Sequence, residues 1–220
     1  KAYAGLGVPS RRTQLMLKTL LFVRENLITQ DSFWVARRLY RFLSRNGLII
    51  GSSTGKELAS TEMPPDYLLA AGDVQCTSGL QALEHLDKKL GSRRRVGQIY
   101  NKWMSDRGFF SYSQRDCLSH SFLTFPIFVS SREEFAARAE AQKIQLGDWF
   151  CSMLHPINGC LSAWSLDASR FKFAPLAARY ILNLPTDVEN VDPILNFLDQ
   201  EESLGSILTV DEIWGSVHAV

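Results

Sequence analysis

Asp73–Asp106, DVQCTSGLQALEHLDKKLGSRRRVGQIYNKWMSD, carries the pattern on which the fold reading turns. Leu80, Leu83, Leu86 and Leu90, then Val96, Ile99 and Trp103, recur at steps of three and four, which is one face of an α-helix. Glu84, Asp87, Lys88, Arg93, Arg94 and Lys102 fill the opposite, solvated face. Asp73 is a suitable N-cap, because its carboxylate can accept the free N–H groups of the first turn. A continuous helix would be about 50 Å long at roughly 1.5 Å per residue, more than a small domain buries. The stretch therefore predicts a helix joining two domains. Gly91-Ser92 is where a kink or break is expected, since glycine costs about 1 kcal/mol relative to alanine inside a helix.

The 220 residues, 45% hydrophobic and 21% charged, suit one large or two small globular domains and argue against disorder. A net charge of +1 gives no reason to invoke nucleic acid or a membrane as the main partner. Cys76, Cys117, Cys151 and Cys160 stand far apart without a CxxC pair, so neither a zinc site nor a disulfide framework is expected. No signal peptide and no run of 18 apolar residues occurs, and a cytoplasmic protein with reduced thiols is the expectation. The start at Lys1 rather than methionine suggests a piece of a longer protein.

Upstream, residues 11–28 (RRTQLMLKTLLFVRENLI) read as a helix with a narrow polar stripe. Residues 31–45 (DSFWVARRLYRFLSR) place Phe33, Trp34, Leu39, Tyr40, Phe42 and Leu43 around a basic face of Arg37, Arg38, Arg41 and Arg45. The pair reads as a helical hairpin packed on a core, or as a basic amphipathic element on an anionic membrane surface; packing is favoured. Gly51–Lys56, GSSTGK, is not a P-loop, being one residue short and followed by Glu57 instead of Ser or Thr.

Downstream the pattern changes. SFLTFPIFV (121–129) reads as a strand, with Pro126 placing it at an edge or bulge. Ser131 and Glu134 form a capping box for a helix to Gln142. Lys143–Phe150 reads as a second strand, 173–181 as a helix, 182–185 as a short extended piece and 191–199 as a last helix. This is a small α+β domain. The residues from Glu201 onward carry no clear assignment.

Three phrases in order, residues 73–100, 122–156 and 173–198, resemble the DegT/DnrJ/StrS pyridoxal-phosphate-dependent aminotransferases. The resemblance implies the C-terminal part of a fold type I transferase, an α/β enzyme. Residues 1–72 would be the end of the large cofactor domain with a helical insertion, and 73–108 the connecting helix. The small antiparallel-sheet domain would span 109–200, and 201–220 would be a tail. It also implies a homodimer, pyridoxal 5'-phosphate as cofactor, and a keto sugar nucleotide aminated by an amino-acid donor, glutamate, in polysaccharide or antibiotic-sugar synthesis.

Within that resemblance, Lys1-Ala2-Tyr3-Ala4-Gly5-Leu6-Gly7 matches the spacing of the family's Schiff-base lysine and its glycines. Lys1 is then the catalytic lysine, with Gly5 and Gly7 letting the backbone approach the cofactor. Leu68 and Ala70 stand where the family often carries an asparagine and an arginine, the first reaching the neighbouring subunit's cofactor phosphate. GDWFCSMLHP (147–156) is the substrate-facing candidate. Asp148 would accept from sugar hydroxyls, Trp149 and Phe150 would stack on a ring, and His155 would donate or accept near neutrality. Core packing of at least one of Trp149 and Phe150 is the competing expectation. No metal site is expected. Two other functions stay open: a non-catalytic interaction module docking through Phe22, Phe33, Trp34 and Tyr40, and a peripheral membrane protein using the arginine-rich helix.

Overall fold

The computed structural model describes residues 5–26, 32–45, 61–63, 65–150, 152–157 and 161–218. The chain divides into two compact units, Lys1–His85 and Leu86–Val220. Among the described residues the fold is mostly helical, with one two-stranded antiparallel sheet. The parallel layer of an α/β domain is not present among them.

In the first unit, α1 (Arg11–Asn26) starts at Ser10, whose Oγ accepts the Thr13 N–H at 3.1 Å. α2 (Phe33–Arg45) follows. After a 3₁₀ turn at Pro65–Leu68, the chain forms a parallel bridge between Leu69 and Gly7. There the Gly7 N–H donates to Leu68 O and the Ala70 N–H to Gly7 O, both at 2.8 Å. α3 (Asp73–Glu84) packs on α1. Its cap is Gly72 rather than Asp73, which is the first helical residue: the Gly72 N–H donates to the Gln75 side-chain carbonyl at 2.9 Å. No residue of α3 is buried, so Leu80 and Leu83, on the predicted apolar face, are exposed. In the α1–α2 pair, Leu17, Leu20, Leu21, Val23, Phe33 and Trp34 are half-buried, while Leu15, Leu39, Tyr40 and Phe42 are exposed.

The second unit opens with α4 (Leu86–Asp106). The predicted single helix over 73–106 is thus interrupted, at His85 (φ −104°, ψ 6°), whose N–H bonds back to Leu83 O. Gly91-Ser92, where the break was expected, lies inside α4. α5 (Gln114–Ser119) leads to β1 (Thr124–Phe128) and α6 (Arg132–Ala141); α7 (Ala174–Tyr180), β2 (Ile181–Pro185), α8 (Asp192–Ser203) and α9 (Val210–His218) complete the order. α6 has the expected start, Ser131 Oγ accepting the Glu134 N–H at 3.4 Å.

β1 and β2 pair antiparallel with Phe125 opposite Leu184 and Ile127 opposite Leu182. These four side chains form one core with Val96, Tyr100, Trp103 and Met104 of α4, Phe135 of α6 and Ile194, Phe197 and Leu198 of α8. Pro126 lies opposite Asn183, and both backbone bonds of Asn183 go to Gly147 instead, at 2.8 and 3.0 Å. A proline, which has no N–H to give, fits at such a pair. The predicted strand over Lys143–Phe150 shrinks to this one bridge at Gly147. Lys143 (φ 61°) and Phe150 (φ 68°) take left-handed conformations at either end, which no continuous strand contains. After Glu201, Ile207 bridges Val129 and Ile213 of α9 is buried.

Several polar groups in this core are paired. Tyr100 Oη donates to Pro185 O at 2.9 Å and Trp103 Nε1 to Asp199 Oδ1 at 2.9 Å. Glu201, 2% exposed, takes a fork of two bonds from Arg138 at 2.7 and 2.8 Å. Among the described residues, no helix is long and apolar enough to cross a membrane.

Candidate functional site

The loop from Gly147 to Pro156 is built outward from β2. Gly147 is held against Asn183, and a Cβ placed on it would stand 3.1 Å from Asn183 Cβ, so a larger residue would push the loop off the strand. Arg132, at the start of α6, ties the next residue down: its Nη2 donates to Asp148 O at 3.1 Å while Nη1 holds Ala178 O at 2.8 Å. The loop is closed at its far end by Ser152, whose Oγ donates to Ile157 O and accepts the Leu154 N–H, and by buried Ile157. The His155–Pro156 peptide is cis.

Three of the four predicted substrate residues come together here. Trp149 and His155 lie nearly parallel (16°) with ring centres 6.1 Å apart, and Phe150 stands 6.2 Å from His155 with its ring tilted by 57°. Trp149 is 55% and Phe150 46% exposed, so neither is a core residue, against the competing expectation. Asp148 is exposed beside them, its backbone carbonyl held by Arg132. The surface offers two flat apolar faces, an imidazole and a carboxylate. That combination suits a ring carrying hydroxyl groups.

Sequence reasoning missed Arg132 and Asn183. Arg132 gives no signal, since its contacts are to backbone carbonyls distant in sequence. Asn183 has one, a polar residue inside the apolar strand ILNLP. It is 2% exposed, its Oδ1 accepts from Thr124 Oγ1 at 3.1 Å, and its Nδ2 is buried without a partner among the described residues.

The predicted cofactor residues fare differently. Lys1 lies outside the described residues. Gly5 and Gly7 belong to the first unit. A Cβ on Gly5 would meet nothing within 4 Å, and one on Gly7 would meet Leu69 Cδ2 at 3.1 Å. The space beside Gly7 is thus taken by the Leu69 side chain, and its backbone is paired with Leu68 and Ala70. Leu68 and Ala70 use their backbones for this same bridge. Among the described residues, nothing else assembles a phosphate cup or a carboxylate for the pyridine nitrogen. These residues do not form a seat for pyridoxal 5'-phosphate.

A cleft of about 430 Å³ along α4 and α5 is lined by Gln98, Asn101, Tyr112, Gln114 and Cys117, none of them in the 147–156 loop. Of its polar wall, the Asn101 side chain accepts the Tyr112 N–H at 2.6 Å and donates to Tyr112 O at 3.1 Å. Burial pushes the Cys117 thiol up, with the Asp116 charge adding to it, so the thiol stays protonated and unreactive. Burial, followed by Cys117, likewise raises the Tyr112 phenol.

The model of the DegT/DnrJ/EryC1/StrS aminotransferase family matches residues 56–192. No curated protein and no solved structure matches the chain. The matched span is more than half of the sequence and contains α3 through β2, with the whole Gly147–Pro156 loop between them. The chain belongs to the DegT/DnrJ/EryC1/StrS aminotransferase family.

Proposed function

We propose that this chain supplies the substrate-facing part of a pyridoxal 5'-phosphate-dependent aminotransferase that moves an amino group from glutamate to a keto sugar nucleotide, in polysaccharide or antibiotic-sugar synthesis. The observation that carries the reading is the family match over residues 56–192. The loop within that span supports the substrate class: Trp149 and Phe150 offer faces for a sugar or base ring, His155 and Asp148 offer bonds to hydroxyl or carbonyl oxygens. In this reading the enzyme works as a homodimer, and Lys1 is the lysine that holds the cofactor, on its spacing to Gly5 and Gly7.

Titrating the chain with a keto sugar nucleotide, followed by tryptophan fluorescence and calorimetry, tests the substrate assignment. Binding is expected, and Trp149→Ala or His155→Ala should each weaken it about tenfold, roughly 1.4 kcal/mol. Equal affinity of both variants and the parent overturns it. Titrated with pyridoxal 5'-phosphate alone, the chain should bind weakly or not at all, since the described residues lack a phosphate cup. One observation favours a second reading, a non-catalytic interaction module. Leu68 and Ala70 replace the family's asparagine and arginine and are engaged with Gly7. Amino transfer from glutamate by the purified protein would exclude it.

A further inference from the structure

The aromatic loop leaves the sheet at Gly147, whose N–H and C=O both pair with Asn183. Among the described residues, the next backbone group held to the body of the unit is Asp148 O, which accepts from Arg132 Nη2 at 3.1 Å. Beyond it, Trp149 and Phe150 make ring contacts with His155, which hold the three rings to one another within the loop. Phe150 stands at φ 68°. A bulky side chain takes this left-handed conformation at a cost, and keeps it only where the chain on either side is fixed. Ser152 and buried Ile157 fix the downstream side. On the upstream side the fixed group is Asp148.

We infer that Arg132 is the positioning residue of this loop: through Asp148 O its guanidinium sets where Trp149 and Phe150 stand for the ligand, which rests on the reading of the loop as substrate-facing. Arg132 is the first residue of α6, directly after the Ser131 cap, and Phe135 and Ala139 seat α6 in the core. The arm therefore starts from a fixed backbone. Its Nη1 donates to Ala178 O at 2.8 Å, in the last turn of α7, where helix carbonyls lack an intrahelical partner. One planar fork thus joins the end of α7, which runs straight into β2, to the start of the loop. The guanidinium stays charged, so both bonds are charge-assisted, and a lysine ammonium does not reproduce the fork. Asn183 fixes where the loop begins, and Arg132 fixes the direction it takes next.

The experiment is fluorine NMR of the whole chain labelled with 5-fluorotryptophan, the Trp149 resonance being assigned by its loss in Trp149→Phe. In Arg132→Ala that resonance is expected to shift and sharpen toward that of an unconstrained indole, with the other tryptophan resonances in place. Millimolar guanidinium chloride, set against the same sodium chloride, should move it back, because the ion restores the bridge between the two carbonyls. Affinity for a uridine diphosphate 4-keto sugar, measured by calorimetry, should fall about tenfold in Arg132→Ala and less in Arg132→Lys, the scale of one hydrogen bond to a charged group. Where Arg132→Ala does not fold, the resonance and affinity of Arg132→Lys decide. An unmoved Trp149 resonance overturns the proposal, as does a shifted resonance with unchanged affinity. A lowered urea midpoint with resonance and affinity unaltered also overturns it, since Arg132 would then only cap α7. If the unaltered chain does not take up the sugar nucleotide, the substrate reading fails, while the resonance and its guanidinium rescue still decide whether Arg132 holds the loop.

Discussion

Gly97 on α4 should be the least replaceable glycine of the second unit. A Cβ there would stand 2.5, 2.7 and 2.8 Å from Phe122 Cγ, Cδ2 and Cδ1, where carbon atoms in contact ordinarily keep about 3.5–4.0 Å. The ring must retreat by about 1 Å, and it has nowhere to go. Phe122 is fully buried, with His120 4.5 Å away, Tyr112 5.6 Å and Phe125 6.0 Å between ring centres. Its backbone is also pinned at φ 44°, with the N–H donating to His120 Nδ1 at 2.9 Å. Overpacking of this kind costs about 3 kcal/mol at the upper end of its usual range. Replacing a helical glycine by alanine returns about 1 kcal/mol. Gly97→Ala is therefore expected to destabilise by about 2 kcal/mol net. Gly91→Ala, six residues earlier on the same helix, is the control: its Cβ meets nothing within 4 Å, and it should stabilise by about 1 kcal/mol. Urea unfolding followed by circular dichroism reads both, and the midpoints should move in opposite directions at an unchanged slope. If Gly97→Ala were as stable as the parent, the packing of Phe122 on α4 would be wrong.

Arg138→Ala should cost about 2–3 kcal/mol, less than a fully buried pair because Arg138 is about one-third exposed, while leaving the buried Glu201 carboxylate without its fork; an unchanged urea midpoint would contradict it. Burial raises the Tyr100 and Tyr112 phenols and the Cys117 thiol, each held neutral in the folded chain. The unfolded chain releases these protons first, so their contribution is complete below about pH 8.5 and is lost as pH rises through the raised folded values; urea midpoints measured up to pH 11 should fall, and a flat profile would refute the assignment. Thr209 and Glu212 cap α9 reciprocally, the Thr209 N–H donating to the Glu212 carboxylate at 2.7 Å and the Glu212 N–H to Thr209 Oγ1 at 3.3 Å. Thr209→Ala should cost about 1 kcal/mol and speed amide exchange at the start of α9.

Local chemistry was legible wherever a few neighbouring residues decide the outcome. Ser131 and Glu134 predict the start of α6, SFLTFPIFV predicts β1, and the short extended piece 182–185 falls within β2, because capping and β-propensity act over a few neighbouring residues. The Thr209–Glu212 box is equally readable, ahead of Val210, Ile213, Trp214 and Val217 at helical spacing. What sequence could not show is what each face meets. The leucine repeat over 73–106 predicts helical structure on both sides of His85, yet Leu80 and Leu83 are exposed while Val96 and Trp103 are core residues. The interruption at His85 has neither glycine nor proline to announce it. In the candidate site, the aromatic pair and His155 were visible as a phrase, whereas their exposure and the Arg132 brace depend on β2 and α7, some 30 residues away in sequence.

The same distinction explains why the two halves of the chain support different kinds of conclusion. Between residues 56 and 192, ordered phrases identify a family, and the fold then shows which side of the loop faces outward. Upstream there is only physical pattern, and an amphipathic helix states that a partner is needed without naming it. In α2, exposure at Val35 and Leu39 and an acid-free helix sequence with four arginines give a two-sided character, while no phrase in that stretch ties either face to one partner.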